Sequence, residues 1–362
     1  MTVTEREWRE AMWRCDRWLD HRRPASAALV LQTAAAALPP DVRPDRYGED
    51  GFVETFERQI AELLGKPASV LVPSGTMAQQ IALRIHCDRR GRTTVAFHPT
   101  CHLELHEHGA YAHLHGLKAE LIGDRDRLIA TEDLEALRAP IGALLIELPQ
   151  RANGGRLPEW EELVAQIQWA RDRDIATHLD GARIWESAPY YDRPHAEIAA
   201  LFDTVYVSLY KALGGLAGSV LAGQEDVIAE ARVWRHRHGG TLWNLFPFAA
   251  SAQRGLDELL PQMPRFLEHA RALAAALREV PGLAIVPDPP QTPLFHIHAR
   301  GAVETIRERA TRIAQERRVW LFDTLAPSIL PQVSKIEVSI GEPALEVSPE
   351  EAAELFQMLV AT

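Results

Sequence analysis

Apolar and polar side chains alternate over Asp203–Leu209, with Val205, Val207 and Leu209 in one phase and Thr204, Tyr206 and Ser208 in the other. A period of two among β-branched and aromatic residues predicts a β-strand. The strand runs into a loop of small residues, Lys211-Ala212-Leu213-Gly214-Gly215, so Lys211 stands at a strand end. Ile175-Ala176-Thr177-His178-Leu179-Asp180 predicts a second strand, one that stops on a carboxylate and is followed by Gly181 and Arg183. A third short strand is expected at Ser69–Val72, followed by the turn Pro73-Ser74-Gly75-Thr76 and a helix-forming stretch from Met77 to Ile85.

Strand and helix signals keep alternating from Tyr47 to about residue 245. Helices are expected over 54–64, 132–137 and 160–173, and strands near Val70, over 143–148, near Thr177 and near Val205. That order predicts an α/β fold with a mostly parallel sheet and crossover helices. Beyond residue 255 the pattern predicts a smaller α/β domain: helices over 266–278 and 303–315, and strands over 294–298 and near Val319 and Ile336. Ser348-Pro349-Glu350-Glu351 reads as a capping box opening a final helix. At the other end, Trp8, Met12, Cys15 and Leu19 recur at helical spacing. A second, alanine-rich helix is expected over 27–38, ended by Pro39 and Pro40. The expected organisation is a helical lead-in (1–46), a large domain (47–254) and a small C-terminal α/β domain (255–362).

Ligands of parallel α/β sheets bind at the carboxyl ends of strands, where this chain places a lysine, an aspartate and a Ser-Gly-Thr turn ahead of a helix. A helix N-terminus presents free N–H groups to a phosphate. A lysine for a Schiff base, an aspartate for a pyridinium nitrogen and a phosphate cup are what pyridoxal 5'-phosphate (PLP) requires of a protein. Each feature alone is commonplace; the combination in this order points to PLP.

The stretches Tyr47-Gly48-Glu49-Asp50, Val72-Pro73-Ser74-Gly75-Thr76-Met77, His102-Leu103-Glu104-Leu105-His106-Glu107, His178-Leu179-Asp180-Gly181-Ala182-Arg183 and Lys211-Ala212-Leu213-Gly214 resemble the threonine aldolase family, β-eliminating lyase-like PLP enzymes of fold type I (aspartate aminotransferase-like). The resemblance implies that Lys211 carries the cofactor as a Schiff base and that Asp180 pairs with the pyridine nitrogen. It further implies that Ser74, Gly75, Thr76 and Ser208 help to hold the cofactor, with its phosphate at Gly75 and Thr76, and that His102 stacks on the ring beside Glu107. Arg183 is implied to bind the substrate carboxylate, and Arg235 and Arg237, in the basic loop Trp234–Thr241, to reach phosphate. His102 is then the expected proton acceptor from a substrate hydroxyl, releasing glycine and an aldehyde.

This chain departs from the family pattern in three places, one of them the stretch Lys335-Ile336-Glu337-Val338-Ser339-Ile340, where the family has a second arginine for the substrate carboxylate and this chain has none. The lead-in has Ala28-Leu29-Val30-Leu31-Gln32-Thr33 where the family has Arg-Ser-Asp-Thr, and Leu148-Pro149-Gln150-Arg151 replaces a histidine-bearing stretch. Gln150 cannot act as a base but can hydrogen-bond substrate or cofactor. β-Elimination, transamination, racemisation and non-catalytic PLP binding therefore stand beside aldol cleavage as alternatives.

Composition narrows the remaining classes. With 362 residues, 46% of them hydrophobic, the chain can bury a large core in about two domains. A net charge of −11 without a basic block argues against nucleic-acid or anionic-membrane partners. The partners expected are an amino acid substrate and further copies of the chain, as a homodimer or homotetramer by the family resemblance. Cys15, Cys87 and Cys101 have no paired or metal-like spacing, and the charged segment from Met1 to Arg23 reads as no export signal, so a cytoplasmic location is expected. His98, His102 and His106 are four residues apart, but Pro99 interrupts the first spacing and no metal site is expected. Neither a Gly-x-Ser-x-Gly elbow nor a Gly-x-Gly-x-x-Gly fingerprint is present.

Overall fold

The structure, a computed structural model, describes residues 3–361 and divides them into two units. Strands are numbered in chain order, from β1 (Arg17–Trp18) to β13 (Val333–Ser339). The larger unit, Ala27–Ala152 with Leu157–Leu260, is built on a seven-stranded sheet. Its strands are β2 (Ala68–Val72), β3 (Thr94–Phe97), β4 (Lys118–Leu121), β5 (Ile141–Glu147), β6 (Ala176–Asp180), β7 (Thr204–Ser208) and β8 (Ser219–Gly223). Their spatial order is β2-β8-β7-β6-β5-β3-β4. Only β8 runs against the rest, so the carboxyl ends of the other six share one edge.

Helices cover both faces of this sheet. On one, Leu144, Ile146, Leu179, Val205 and Val207 pack with Phe52, Phe56 and Ile60 of the Gly51–Leu63 helix and with Leu163 and Ile167 of the Trp160–Arg171 helix. On the other, Val70, Val72, Tyr206 and Leu221 pack with Ala78, Ile81 and Ile85 of the Gly75–Arg89 helix and with Val227, Ile228 and Ala231 of the Glu225–Arg237 helix. Every residue of β7 is therefore buried, and its two-residue period separates two cores rather than core from water. Thr204, on the polar phase, lies 2.7 Å from His86 Nε2 and 2.8 Å from His178 Nδ1. Burial lowers His86 to about 4 and His178 to about 3, which keeps both imidazoles neutral partners for that hydroxyl.

The smaller unit joins the residues up to Ser26, Asn153–Arg156, and the chain from Pro261 onward. Its antiparallel sheet has the order β12-β13-β10-β9, with β9 at Leu283–Val286, β10 at Leu294–Arg300 and β12 at Thr324–Pro327. The strand expected near Val319 is β11 (Val319–Trp320); it lies outside this sheet and pairs in parallel with β1. That pairing corrects the reading of the N-terminus, because the first helix is Glu5–Trp13 and only Trp8 and Met12 of the spaced residues lie on it. Cys15 and Leu19 are buried around an extended segment instead. Ser348 caps the Pro349–Val360 helix, its hydroxyl accepting from Glu351 N at 3.2 Å, but Glu351 does not complete a capping box. Its carboxylate instead accepts two hydrogen bonds of 2.7 Å from Arg17.

Trp8 anchors the first helix. It is 6% exposed, 4.2 Å from Trp320 and 5.7 Å from Phe322 between ring centroids. Trp8→Ala is expected to destabilise this unit by about 3–5 kcal/mol, the usual cost of emptying a buried aromatic site. Urea titration followed by circular dichroism measures it, and a change under about 0.5 kcal/mol, the range of a surface substitution, would contradict the anchoring role.

Candidate active site

Adjacent strand ends assemble the chemistry. In the parallel ladder Glu147 is the register partner of Asp180, and Asp180 that of Tyr206, so β5, β6 and β7 present these residues side by side. Lys211 follows β7 in a turn where Gly215 N donates to Leu209 O at 2.8 Å. Glycine is required at 215, because a Cβ there would stand 2.7 Å from that carbonyl oxygen.

Burial lowers the Lys211 amine to about 8. Arg183 and Arg151 push it the same way, and the Asp180 and Glu147 carboxylates oppose them. Asp180 is 1% exposed, with Oδ2 accepting from Gln79 Nε2 at 2.9 Å and Oδ1 from Ala182 N at 3.1 Å. Arg183 lies just past β6 with its Nε 3.8 Å from Glu186 Oε1. An amine that is partly neutral at physiological pH, next to a buried carboxylate and two guanidinium groups, can form a Schiff base and receive a carboxylate ligand.

Beyond β2, Ser74 caps the Gly75–Arg89 helix, its hydroxyl accepting from Met77 N at 3.3 Å, and Gly75 and Thr76 form the first turn. The helix start lies against the β7 core: a Cβ on Gly75 would come within 2.1 Å of the Tyr206 hydroxyl. Ser208, at the end of β7, is buried beside that phenol and opposes the strong rise in its pKa caused by burial and by Asp180. Ser219, the register partner of Ser208, has a buried hydroxyl without a hydrogen-bond partner.

The segment containing Arg235 and Arg237 is the last turn of the Glu225–Arg237 helix, where the sequence suggested a loop. Arg235 turns inward, donating to Leu71 O at 3.0 Å and Tyr47 O at 3.1 Å. Arg237 stacks over Trp234 at 4.5 Å. A basic tetrapeptide carries no information about which side of a helix end faces the core.

His102 opens a short helix, His102–His106, with its Nδ1 3.1 Å from Glu107 Oε1. The Glu107 side chain is fully buried and accepts from Gln79 Nε2 at 3.4 Å and Gln80 Nε2 at 2.8 Å. Gln79 thus connects the His102–Glu107 pair to Asp180. His98 takes no part: its Nε2 faces the carbonyls of Asp124 and Arg127, and its Nδ1 accepts from Thr100 N. The Cys101 thiol is fully buried, and burial holds its pKa far above the ordinary thiol range, so it is not a nucleophile. Gln150 is buried, with its amide nitrogen 3.4 Å from both Thr100 Oγ1 and Glu147 Oε2.

The residues at this site that were not singled out from the sequence include Glu147, Gln79, Gln80, Tyr206 and Ser219. Glu147 had a visible signal, since it is a carboxylate closing the otherwise apolar strand Ile141-Gly142-Ala143-Leu144-Leu145-Ile146. Gln79 had none, because a glutamine inside a helix is ordinary.

The residues present fit PLP on their own chemistry. A lysine of lowered pKa and a buried carboxylate stand at adjacent strand ends, the Gly75–Arg89 helix begins just beyond β2 with its first N–H groups at Gly75 and Thr76, and a buried serine hydroxyl is unpaired at 219. Fold and site together define a PLP-dependent lyase of fold type I. The beta-eliminating lyase family profile matches residues 25–300. Low specificity L-threonine aldolase of Escherichia coli (strain K12) is 31% identical over 267 residues, 71% of this chain and 77% of that protein. Low-specificity L-threonine aldolase 1 of Arabidopsis thaliana is 28% identical over 296 residues, 78% of this chain and 81% of that one. The crystal structure of a putative L-allo-threonine aldolase from Listeria monocytogenes EGD-E superposes with a TM-score of 0.93 at 37% identity, covering 98% of both chains. The chain belongs to the beta-eliminating lyase family, in its threonine aldolase branch. No helix among the described residues is long and apolar enough to cross a membrane.

Proposed function

We propose that the protein cleaves a β-hydroxy-α-amino acid by retro-aldol scission into glycine and an aldehyde. The observation that carries this reading is the connection of the His102–Glu107 pair, through Gln79, to Asp180 at the strand edge shared with Lys211. When bound, PLP supplies the sink for electrons released at Cα.

The chain's own residues supply the rest. Lys211 holds the cofactor through its amine, a usable fraction of which is neutral at pH 7 because of the lowered pKa. The Asp180 carboxylate, fixed by Gln79 and Ala182, keeps a proton on the ring nitrogen. His102 would help to hold the ring; with Nδ1 tied to Glu107, Nε2 is the nitrogen left to take the hydroxyl proton, directly or through one water. Arg183 receives the α-carboxylate through its planar fork. Ser74, Gly75, Thr76 and Ser208 hold the phosphate end, whereas Arg235, committed to two carbonyls, braces the helix against β2 and the Tyr47 turn. Gln150 orients substrate by hydrogen bonding and moves no proton.

Glycine and aldehyde release from a panel containing threonine, allo-threonine and phenylserine tests the reading. A protein that binds PLP yet yields glycine from none of them, and instead releases an α-keto acid from serine, is an eliminating enzyme. Gly75→Ala is expected to lower PLP affinity and to cost about 1–3 kcal/mol of stability, since the new methyl group collides with Tyr206. Fluorescence titration and a melting curve measure the two effects, and wild-type affinity would remove Gly75 from the phosphate cup.

The same reading makes the protein a cytoplasmic homo-oligomer. Cys15, Cys87 and Cys101 are free and buried, which suits a reducing compartment. Leu29 and Leu31 on the Ala27–Ala36 helix, together with Tyr47 and Trp243, expose apolar surface suited to a second copy. Light scattering that finds only monomers would reject the oligomer.

A further inference from the structure

Glu147 is a half-buried carboxylate at this strand edge to which the mechanism above gives no task, and its contacts describe one. Oε2 accepts from His102 N at 3.1 Å and faces Gln150 Nε2 at 3.4 Å, while Oε1 accepts from Arg151 N at 3.0 Å. Two of these donors are peptide N–H groups of separate segments, the start of the His102–His106 helix and the turn after β5. Strand pairing holds the carboxylate itself beside Asp180. A group so placed decides where the His102 backbone and the Gln150–Arg151 turn stand relative to the Asp180–Lys211 edge.

We propose that Glu147 is a positioning residue: its ionised carboxylate clamps the His102 backbone and the Gln150–Arg151 turn in the geometry that catalysis uses. This rests on the aldolase reading for its kinetic signature and not for its structural one. The clamp needs both oxygens as acceptors. Protonation turns one of them into a donor facing an N–H, and an unmade pair of this kind, half shielded from water, loses a charge-assisted hydrogen bond and costs part of the desolvation of both groups.

The charged and titratable groups around Glu147 are Asp180 on β6, Lys211 after β7, Arg151 in the adjoining turn, and Cys101 and His102 at the helix start. Burial and the Asp180 charge push the Glu147 carboxyl up to about 7, against the pull of the two peptide N–H groups and Lys211. A group raised in this way loses its charge as the pH falls through 7, and the clamp opens on the acid side.

Glu147→Gln is the direct probe, because it keeps the shape and replaces one acceptor with a donor that cannot be titrated. The variant is expected to bind PLP with Lys211 intact and to lose kcat on the order of 10²-fold, the cost of about 1 Å of misplacement. Its kcat profile should be flat where the wild-type rate falls below pH 7. A lower rate with the acid limb unchanged would reduce Glu147 to packing and overturn the proposal, as would wild-type kcat. Glu147→Asp retains the charge but is one methylene too short to span both N–H groups; it should keep the limb at a reduced rate, and full activity would also overturn the clamp. The induced circular dichroism of PLP bound to wild-type protein gives a readout that needs no turnover and no variant. It should change through the same pH window as the ring's surroundings loosen, and a signal constant from pH 6 to 8 rejects the clamp. Should the wild type release no glycine from any substrate, the aldolase reading fails while the dichroism still judges Glu147.

Discussion

Replacing Lys211 with alanine is expected to bring glycine release down by at least about 10³-fold, because the amine that holds the cofactor and takes part in covalent exchange is removed. The visible absorbance of the bound cofactor should disappear with it. The protein should stay folded, since the loop geometry is set by Gly215 and its bond to Leu209 and not by the lysine side chain. The lowered pKa gives the same experiment a second arm. Only the neutral amine captures an aldehyde, so capture of PLP by the cofactor-free wild type should accelerate as the pH rises through about 8 and level off above it. Acceleration that continues through pH 10, as for an exposed lysine, would show that Lys211 is not the buried amine described here. Residual glycine release at more than a tenth of the wild-type rate in Lys211→Ala would remove the residue from the chemistry altogether.

Asp180→Asn carries the second large effect. The substitution keeps a group that can accept from Ala182 N while removing the charge that holds a proton on the ring nitrogen. Loss of one preorganised electrostatic partner of this kind costs on the order of 10²–10³-fold in kcat. PLP should remain bound through Lys211 and the phosphate end, so the defect is expected in kcat with KM nearly unchanged. A defect confined to KM would instead assign Asp180 to substrate binding. The adjacent carboxylate gives a useful contrast: Asp180→Asn removes a charge that raises Glu147, so the acid limb ascribed to Glu147 should move to lower pH in this variant.

Much of the large unit was legible along the chain. Alternating apolar runs and helical periods located β2, β5, β6 and β7 and the helices between them, because each strand lies between two covering layers and each helix must present one apolar face. The order Ser74-Gly75-Thr76, Asp180, Lys211 marked the strand ends that meet. Misreadings arose where local pattern does not fix direction. Arg235 and Arg237 resembled a loop, yet they close the Glu225–Arg237 helix, one bonded to backbone carbonyls and the other stacked on an indole. The spacing of Cys15 and Leu19 continued a helix that β-pairing with Val319 and Trp320 ends.

By itself the sequence determined the α/β class, the PLP chemistry and the family, because these depend on residue types at strand ends, and strand ends are set by local period and by glycine. Tertiary structure alone decided which polar groups share protons and charge. Glu147 meets Asp180 through strand register, His102 through a helix start and Arg151 through a turn, contacts reaching up to 45 residues along the chain. Gln79 reaches Asp180 across 101 residues. A side chain's hydrogen-bond partner is fixed by packing in three dimensions, and no one-dimensional period encodes it.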